Sequence, residues 1–159
     1  MHFIDTHAHV YAEELTTSID IVIENSIKAG ISKIIMPAID STTLDAMLKV
    51  EAQFPANCIA MMGLHPCYVK ENYKEELKLV EDWIGKRKFI AIGEIGLDFY
   101  WDKTFAKEQQ FVFETQMQWA IDLQLPIAIH TRNAMGETIE AVKPFAKKGL
   151  RGVFHCFSG

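Results

Sequence analysis

FIDTHAHV, residues 3–10, starts as an apolar strand and ends on Asp5, His7 and His9. Its reading decides the fold, because the same layout returns along the chain. Short apolar or β-branched runs recur at ISKIIMPAI (31–39), NCIAMMGLHP (57–66), FIAIGEIGLD (89–98), PIAIHTR (126–132) and GVFHCFSG (152–159). Between them lie helical patterns. Strand, helix, strand at intervals of roughly 30 residues is the pattern of right-handed βαβ units in a parallel sheet. The runs are apolar at successive positions, as expected for strands covered on both faces.

The intervening segments carry helix signals of unequal strength. Residues 11–30 place Leu15, Ile19, Val22, Ile23 and Ile27 on one face and end at Gly30, a suitable C-terminal residue. Residues 41–54 are expected to start with Ser41 or Thr42 as N-cap. Residues 73–87 begin acidic and end basic, matching the helix dipole. Residues 107–125 turn Phe111, Met117 and Ile121 to a core, and Pro126 stops that helix. Residues 133–149 form a weaker helix, because Pro144 must kink or end it.

The 159 residues suffice for one domain with a real core. No apolar run approaches the roughly 20 residues of a membrane span. Neither a secretory signal nor a disulfide framework is legible, since Cys58, Cys67 and Cys156 are odd in number and scattered. A cytoplasmic setting is the expectation. The net charge of −5 argues against duplex binding through phosphate contacts alone. An anionic substrate would need locally supplied positive charge, such as a metal ion.

The chemistry gathers at the strand ends. His7 and His9 share a strand face, with Asp5 one step deeper and placed to orient a ring. A lone His-x-His is a weak signal, equally met by two satisfied loop histidines. The remaining strand ends add His65, Glu94, Asp98, His130 with Arg132, and His155. Apart from His2, every histidine falls at the C-terminal end of an expected parallel strand, where α/β sheets and barrels place their sites. Several imidazoles with a carboxylate suit zinc, manganese, cobalt or iron better than calcium. Four histidines and Glu94 exceed the needs of one tetrahedral ion, so Glu94 reads as a bridge between two ions roughly 3.5–4 Å apart. Cys156 reads as a packed core thiol and Cys67 as loop filler. Asp98 is a turn cap or a site residue, and Arg132 pairs with a carboxylate or receives a phosphate.

FIDTHAH, GLHP, IGEIGLDFYWD, KEQQFVFETQMQWAIDLQLPIAIHTR and GVFHCFSG, in this order across residues 3–159, resemble the TatD family of metal-dependent deoxyribonucleases. The resemblance implies a TIM-like (β/α) barrel of the metal-dependent hydrolase type, incomplete here with about six of the parallel strands. Residues 1–159 would be its N-terminal part, a single domain. By the same resemblance His7 and His9 bind one ion, His130 and His155 the other, and Glu94 touches both. His65 contacts substrate, and Glu94, His65 and Arg132 are the expected catalytic residues. The cofactors implied are two divalent ions, drawn from zinc, manganese, magnesium or cobalt. The substrate implied is DNA, single-stranded or at 3′ ends.

The family also uses an aspartate near a later strand end, and residues 1–159 contain no counterpart. The chain therefore reads as a truncation whose first and sixth strands have open edges, and self-association is expected. Two other readings stand beside the nuclease. Amidohydrolases and phosphotriesterases share a His-x-His first strand, but many bridge their metals with a modified lysine on the fourth strand. Here that strand carries Glu94, and Lys86 and Lys88 precede it. The other reading is an inactive metal-binding fragment completed by another polypeptide.

Overall fold

The computed structural model describes residues 2–16 and 18–157, so Thr17 and the last two residues of the HCFSG motif lie outside the described residues. The strands are β1 (Phe3–Asp5), β2 (Ile31–Pro37), β3 (Cys58–Met61), β4 (Ile92–Asp98), β5 (Ile127–Arg132) and β6 (Gly152–Phe154). The helices are α1 (Glu13–Thr16), α2 (Ile19–Lys28), α3 (Ser41–Gln53), α4 (Tyr73–Lys86), α5 (Ala106–Asp122) and α6 (Met135–Ala146). All strand pairs are parallel and follow chain order, β1-β2-β3 and β4-β5-β6. Among the described residues one β-bridge, Met62 to Ile92, joins the two sets, helped by backbone hydrogen bonds from Ile90 N to Ala60 O and from Glu94 N to Ala38 O.

That join is narrow, and α5 reinforces it. Its buried positions are Gln109, Val112, Phe113, Gln116, Met117 and Ala120, a stripe of one helix face. Val112 packs into the core of the first three strands, while Phe113, Met117 and Ala120 pack into the core of the last three. The two glutamines act as backbone surrogates. Gln116 accepts from Leu64 N at 2.8 Å and donates to Leu64 O at 3.2 Å. Gln109 does the same for Asp98, at 2.9 and 3.2 Å. An amide offers both a donor and an acceptor, so each glutamine satisfies a residue beyond the reach of strand pairing.

Several expectations need correction. Phe111 is 55% exposed, because the two glutamines occupy core positions that an apolar pattern cannot flag. Residues 11–30 form two helices, so one periodicity does not run through them. Ile19 and Ile23 are buried, whereas Leu15 and Ile27 face outward. The N-cap of α3 is Asp40, whose Oδ1 accepts from Thr42 N and Thr43 N at 3.0 and 3.2 Å. Ser41 is instead the first helical residue, and it ties α3 to α4 by donating to Glu76. Helix α6 continues two residues past Pro144. The apolar-both-faces expectation fits β4, buried throughout, but not the outer strands, where Ile4 is 58% and Val153 59% exposed.

Gly96 is the glycine the fold cannot do without. Its φ is +150°, and a Cβ there would lie 1.9 Å from the carbonyl oxygen of His130, its partner on β5. The bare backbone lets β4 and β5 close tightly between Glu94 and Asp98.

Candidate metal centre

The C-terminal strand ends converge on Glu94. This carboxylate is 3% exposed and stands among four imidazoles. Its Oε2 lies 3.0 Å from His7 Nε2, 3.5 Å from His9 Nε2 and 3.7 Å from His65 Nε2. Its Oε1 lies 3.1 Å from His130 Nδ1. Burial alone would push the Glu94 carboxyl up, but hydrogen bonds from His130 and His7 outweigh it and hold the group well below the usual carboxylate range. Glu94 is therefore an anion with each oxygen turned to a different set of histidines.

Hydrogen bonds at the rear of each ring decide which nitrogen faces the centre. The Tyr11 hydroxyl donates to Pro37 O, so it must accept at 2.8 Å from His9 Nδ1–H. That leaves the lone pair of His9 on Nε2, the nitrogen facing Glu94. His65 is the opposite case. Its Nδ1 accepts from Cys67 N at 3.1 Å, so the proton sits on Nε2 and points inward. Burial pushes His65 down to about 4, against the pull of Glu94, so this ring is a neutral hydrogen-bond donor near neutral pH.

His130 lies between two carboxylates, with Nε2 2.8 Å from Asp98 Oδ2 and Nδ1 facing Glu94. Burial opposes its protonation, but the two acids prevail and its pKa is raised. Asp98 also accepts from Tyr100 N at 3.0 Å, so it is both turn cap and partner of His130. His155 stacks on His7, ring centroids 3.4 Å apart at 10°. Burial, and then the His7 charge, lower its pKa.

Other sequence readings turn out differently. Asp5 accepts from the backbone N of His7 at 3.0 Å and so shapes the loop after β1, where it was expected to orient a ring. Cys156 is exposed at φ +46° with Sγ 3.2 Å from His155 Nε2, because β6 has already ended and strand alternation no longer applies. Arg132 lays its guanidinium over Tyr100 with Cζ 3.8 Å from the ring centroid. No side-chain ion pair of Arg132 occurs among the described residues. Tyr11 was missed, although its place two residues past His9 is the only hint the sequence holds.

The donor set fits a divalent cation. The ligand atoms of His7, His9 and Glu94 lie within 4.8 Å of one another, two imidazole nitrogens and one ionised oxygen. A second cluster, His65, Cys67 and His130, meets the same spacing. It suits a cation less, because His65 Nδ1 is engaged and burial, with Asp98, pushes the Cys67 thiol up to about 12. His155 stands against His7, and neither cluster unites it with His130. Beside the centre opens a cavity of about 510 Å³, lined among others by His65, Asp98, Trp101, His130 and Arg132.

The chain and its fold are similar to known proteins. The chain is 32% identical over 155 residues to the uncharacterized metal-dependent hydrolase YabD of Bacillus subtilis, covering 98% of this chain and 60% of that protein. It is 30% identical over 140 residues to the 3′-5′ ssDNA/RNA exonuclease TatD of Erwinia tasmaniensis, covering 88% and 54%. The crystal structure of YjjV, a TatD homolog from Escherichia coli, superposes with a TM-score of 0.90 at 28% identity, over 99% of this chain and 61% of that one. The chain thus spans about 60% of the length of such relatives. The fold is α/β, six parallel strands of a TIM-like (β/α) barrel. No helix among the described residues is long and apolar enough to cross a membrane. The sequence pattern of the TatD related DNase family matches residues 4–159, and the chain belongs to that family.

Proposed function

We propose that this chain carries the metal cradle and substrate contacts of a TatD-like nuclease that hydrolyses phosphodiester bonds in single-stranded nucleic acid. The observation behind the reading is one buried carboxylate, Glu94, faced by four histidines at 3.0–3.7 Å. Two divalent ions, among zinc, manganese, magnesium and cobalt, are the cofactors of this reading. His7 and His9 would hold one, His130 and His155 the other, with Glu94 common to both. When bound, such ions supply electrophilic charge to a phosphodiester and acidify water.

The protein's own groups do the rest. Glu94 stays ionised and presents one oxygen to each side. Asp98 fixes the His130 ring from behind and Tyr11 fixes His9, so neither must reorganise during reaction. His65 points its Nε2–H into the site and donates to a non-bridging phosphate oxygen without carrying charge itself. Arg132 rests one face on Tyr100, which leaves its in-plane N–H groups for a second phosphate oxygen. The cavity is of a size that suits a nucleotide. This local charge reconciles a polyanionic substrate with a net charge of −5.

Small-molecule amidohydrolase or phosphotriesterase chemistry is less well supported. Lys86 and Lys88 line a separate cavity with Phe89 and Leu123, so neither is near Glu94 to act as a bridge. The test is hydrolysis of a labelled single-stranded oligonucleotide with manganese, magnesium or zinc, beside Glu94→Gln. Metal-dependent cleavage lost in the variant is expected. Soluble, metal-loaded protein that leaves the oligonucleotide intact would sink nuclease activity of this chain.

A further inference from the structure

The turn after β4 carries two large aromatic residues in water. Trp101 is 70% exposed at the rim of the cavity, and Tyr100 stands edge-on to it, ring centroids 4.7 Å apart at 87°. Arg132 packs against both, its Cζ 3.8 Å from the Tyr100 centroid and 5.2 Å from that of Trp101. Leaving an indole so exposed forfeits a large hydrophobic gain unless something covers it.

The backbone beside the cluster is also tied to the centre. Asp98, which holds His130 at 2.8 Å, accepts from Tyr100 N at 3.0 Å. Phe99 N donates to Arg132 O at 2.9 Å, and Thr104 N to Asp102 Oδ1 at 2.8 Å. The backbone flanking the aromatic pair is therefore anchored beside the reacting end of the cavity.

Charge points to the kind of contact. The chain is acidic overall, and Lys70 at the same cavity is paired with Asp102 at 3.6 Å. Arg132 is the cavity cation without an acidic partner among the described residues. Away from the metal centre a strand of nucleic acid finds few phosphate contacts, but it finds an indole face, a phenol and a guanidinium plane, the surfaces on which unpaired bases stack.

We propose that Trp101, supported by Tyr100 and Arg132, is a stacking platform for an unpaired nucleobase, and that base stacking outweighs phosphate contact in this chain's hold on nucleic acid. The inference rests on the nuclease reading only for the class of ligand. It implies selection of unpaired over paired bases, because a duplex keeps its base faces covered. It also implies a shallow salt dependence. With one or two phosphate contacts, log K against log salt has a slope of roughly −0.7 to −1.4.

The test is equilibrium anisotropy of 5′-labelled probes in EDTA, so that no divalent ion cleaves the probe or contacts its phosphates. The probes are oligothymidylate, an abasic phosphodiester of equal length, and oligothymidylate with an uncharged methylphosphonate backbone. Expected are methylphosphonate binding within about 3-fold of the phosphodiester, and abasic binding weaker by ~10-fold or more, in keeping with the stacking energy of a single base. Trp101→Ala loses ~10-fold on oligothymidylate, and Trp101→Phe regains most of it, with circular dichroism confirming that both fold. Equal affinity for abasic and base-bearing probes, or an unchanged Trp101→Ala, overturns the proposal. Failure of the oligonucleotide hydrolysis assay would touch the nuclease reading and leave this result standing.

Discussion

Replacing Gln116 with leucine should damage the molecule more than its conservative volume suggests. Gln116 is fully buried and makes two hydrogen bonds to the backbone of Leu64, itself buried one residue before His65. Leucine fills a similar space but leaves the Leu64 N–H and C=O without partners. Each unmade buried bond costs about 1–3 kcal/mol, and the added apolar contact offsets part of it, for a net loss of roughly 2–5 kcal/mol. For a chain of this length 1 kcal/mol shifts Tm by about 2–4 °C, so the melting point should fall roughly 4–20 °C. The assay is thermal unfolding followed by circular dichroism, with Gln118→Leu as control because its amide bonds Asp122 at the surface. Oligonucleotide affinity, read by anisotropy on the folded protein, should weaken too, since the backbone leading to His65, the proposed substrate donor, loses its anchor. A melting point for Gln116→Leu within about 1 °C of the control would refute the claim that this amide substitutes for strand pairing.

Other expectations follow from single residues. Gly96→Ala combines a disfavoured φ with a Cβ 1.9 Å from His130 O and should cost ~2–6 kcal/mol, measured by urea denaturation; a loss under about 1 kcal/mol would mean the strands part easily. His65 is held near 4 when folded, against 6.5 when free, so the unfolded chain binds the proton more readily between these values. Stability attributable to His65 is full above about pH 6.5 and falls on acidification toward 4, by on the order of 3 kcal/mol. His130, with its raised pKa, works the other way, contributing below the free value and losing that contribution as pH rises through the raised one. Comparing acid unfolding with His65→Gln checks the sign, and equal acid sensitivity would contradict it. Finally, β1 and β6 end the strand order and present Ile4 and Val153 outward, so light scattering should find species larger than one chain. Ile4→Lys with Val153→Lys should return the monomer; a wild-type monomer would dispose of the idea.

Much of this architecture was legible from residue order. The six apolar runs correspond to six strands, and the histidines at their ends converge because parallel strands share a C-terminal rim. What escaped were the contacts that depend on polar groups serving apolar places. Gln109 and Gln116 occupy core positions of α5, so a hydrophobic pattern selected Phe111 in their stead. Asp40 capped α3 one residue before the expected cap, since the choice between adjacent Asp, Ser and Thr is made by backbone angles. Strand alternation misplaces Cys156, which lies past the end of β6, and the relation of Asp5 to His7 and His9, because β1 ends at Asp5. Tyr11 could not be separated from other core aromatics without knowing that Pro37 O lies next to it.

The contact between His7 and His155 has a consequence for biosynthesis. Their rings touch face to face although 155 − 7 = 148 residues separate them in the chain. At roughly 5–20 residues per second, His155 is made about 7–30 s after His7. Throughout that interval the nascent chain displays His7 and His9 without their later neighbour. Vectorial synthesis therefore leaves the outer face of the His7 ring uncovered until β6 has been laid down.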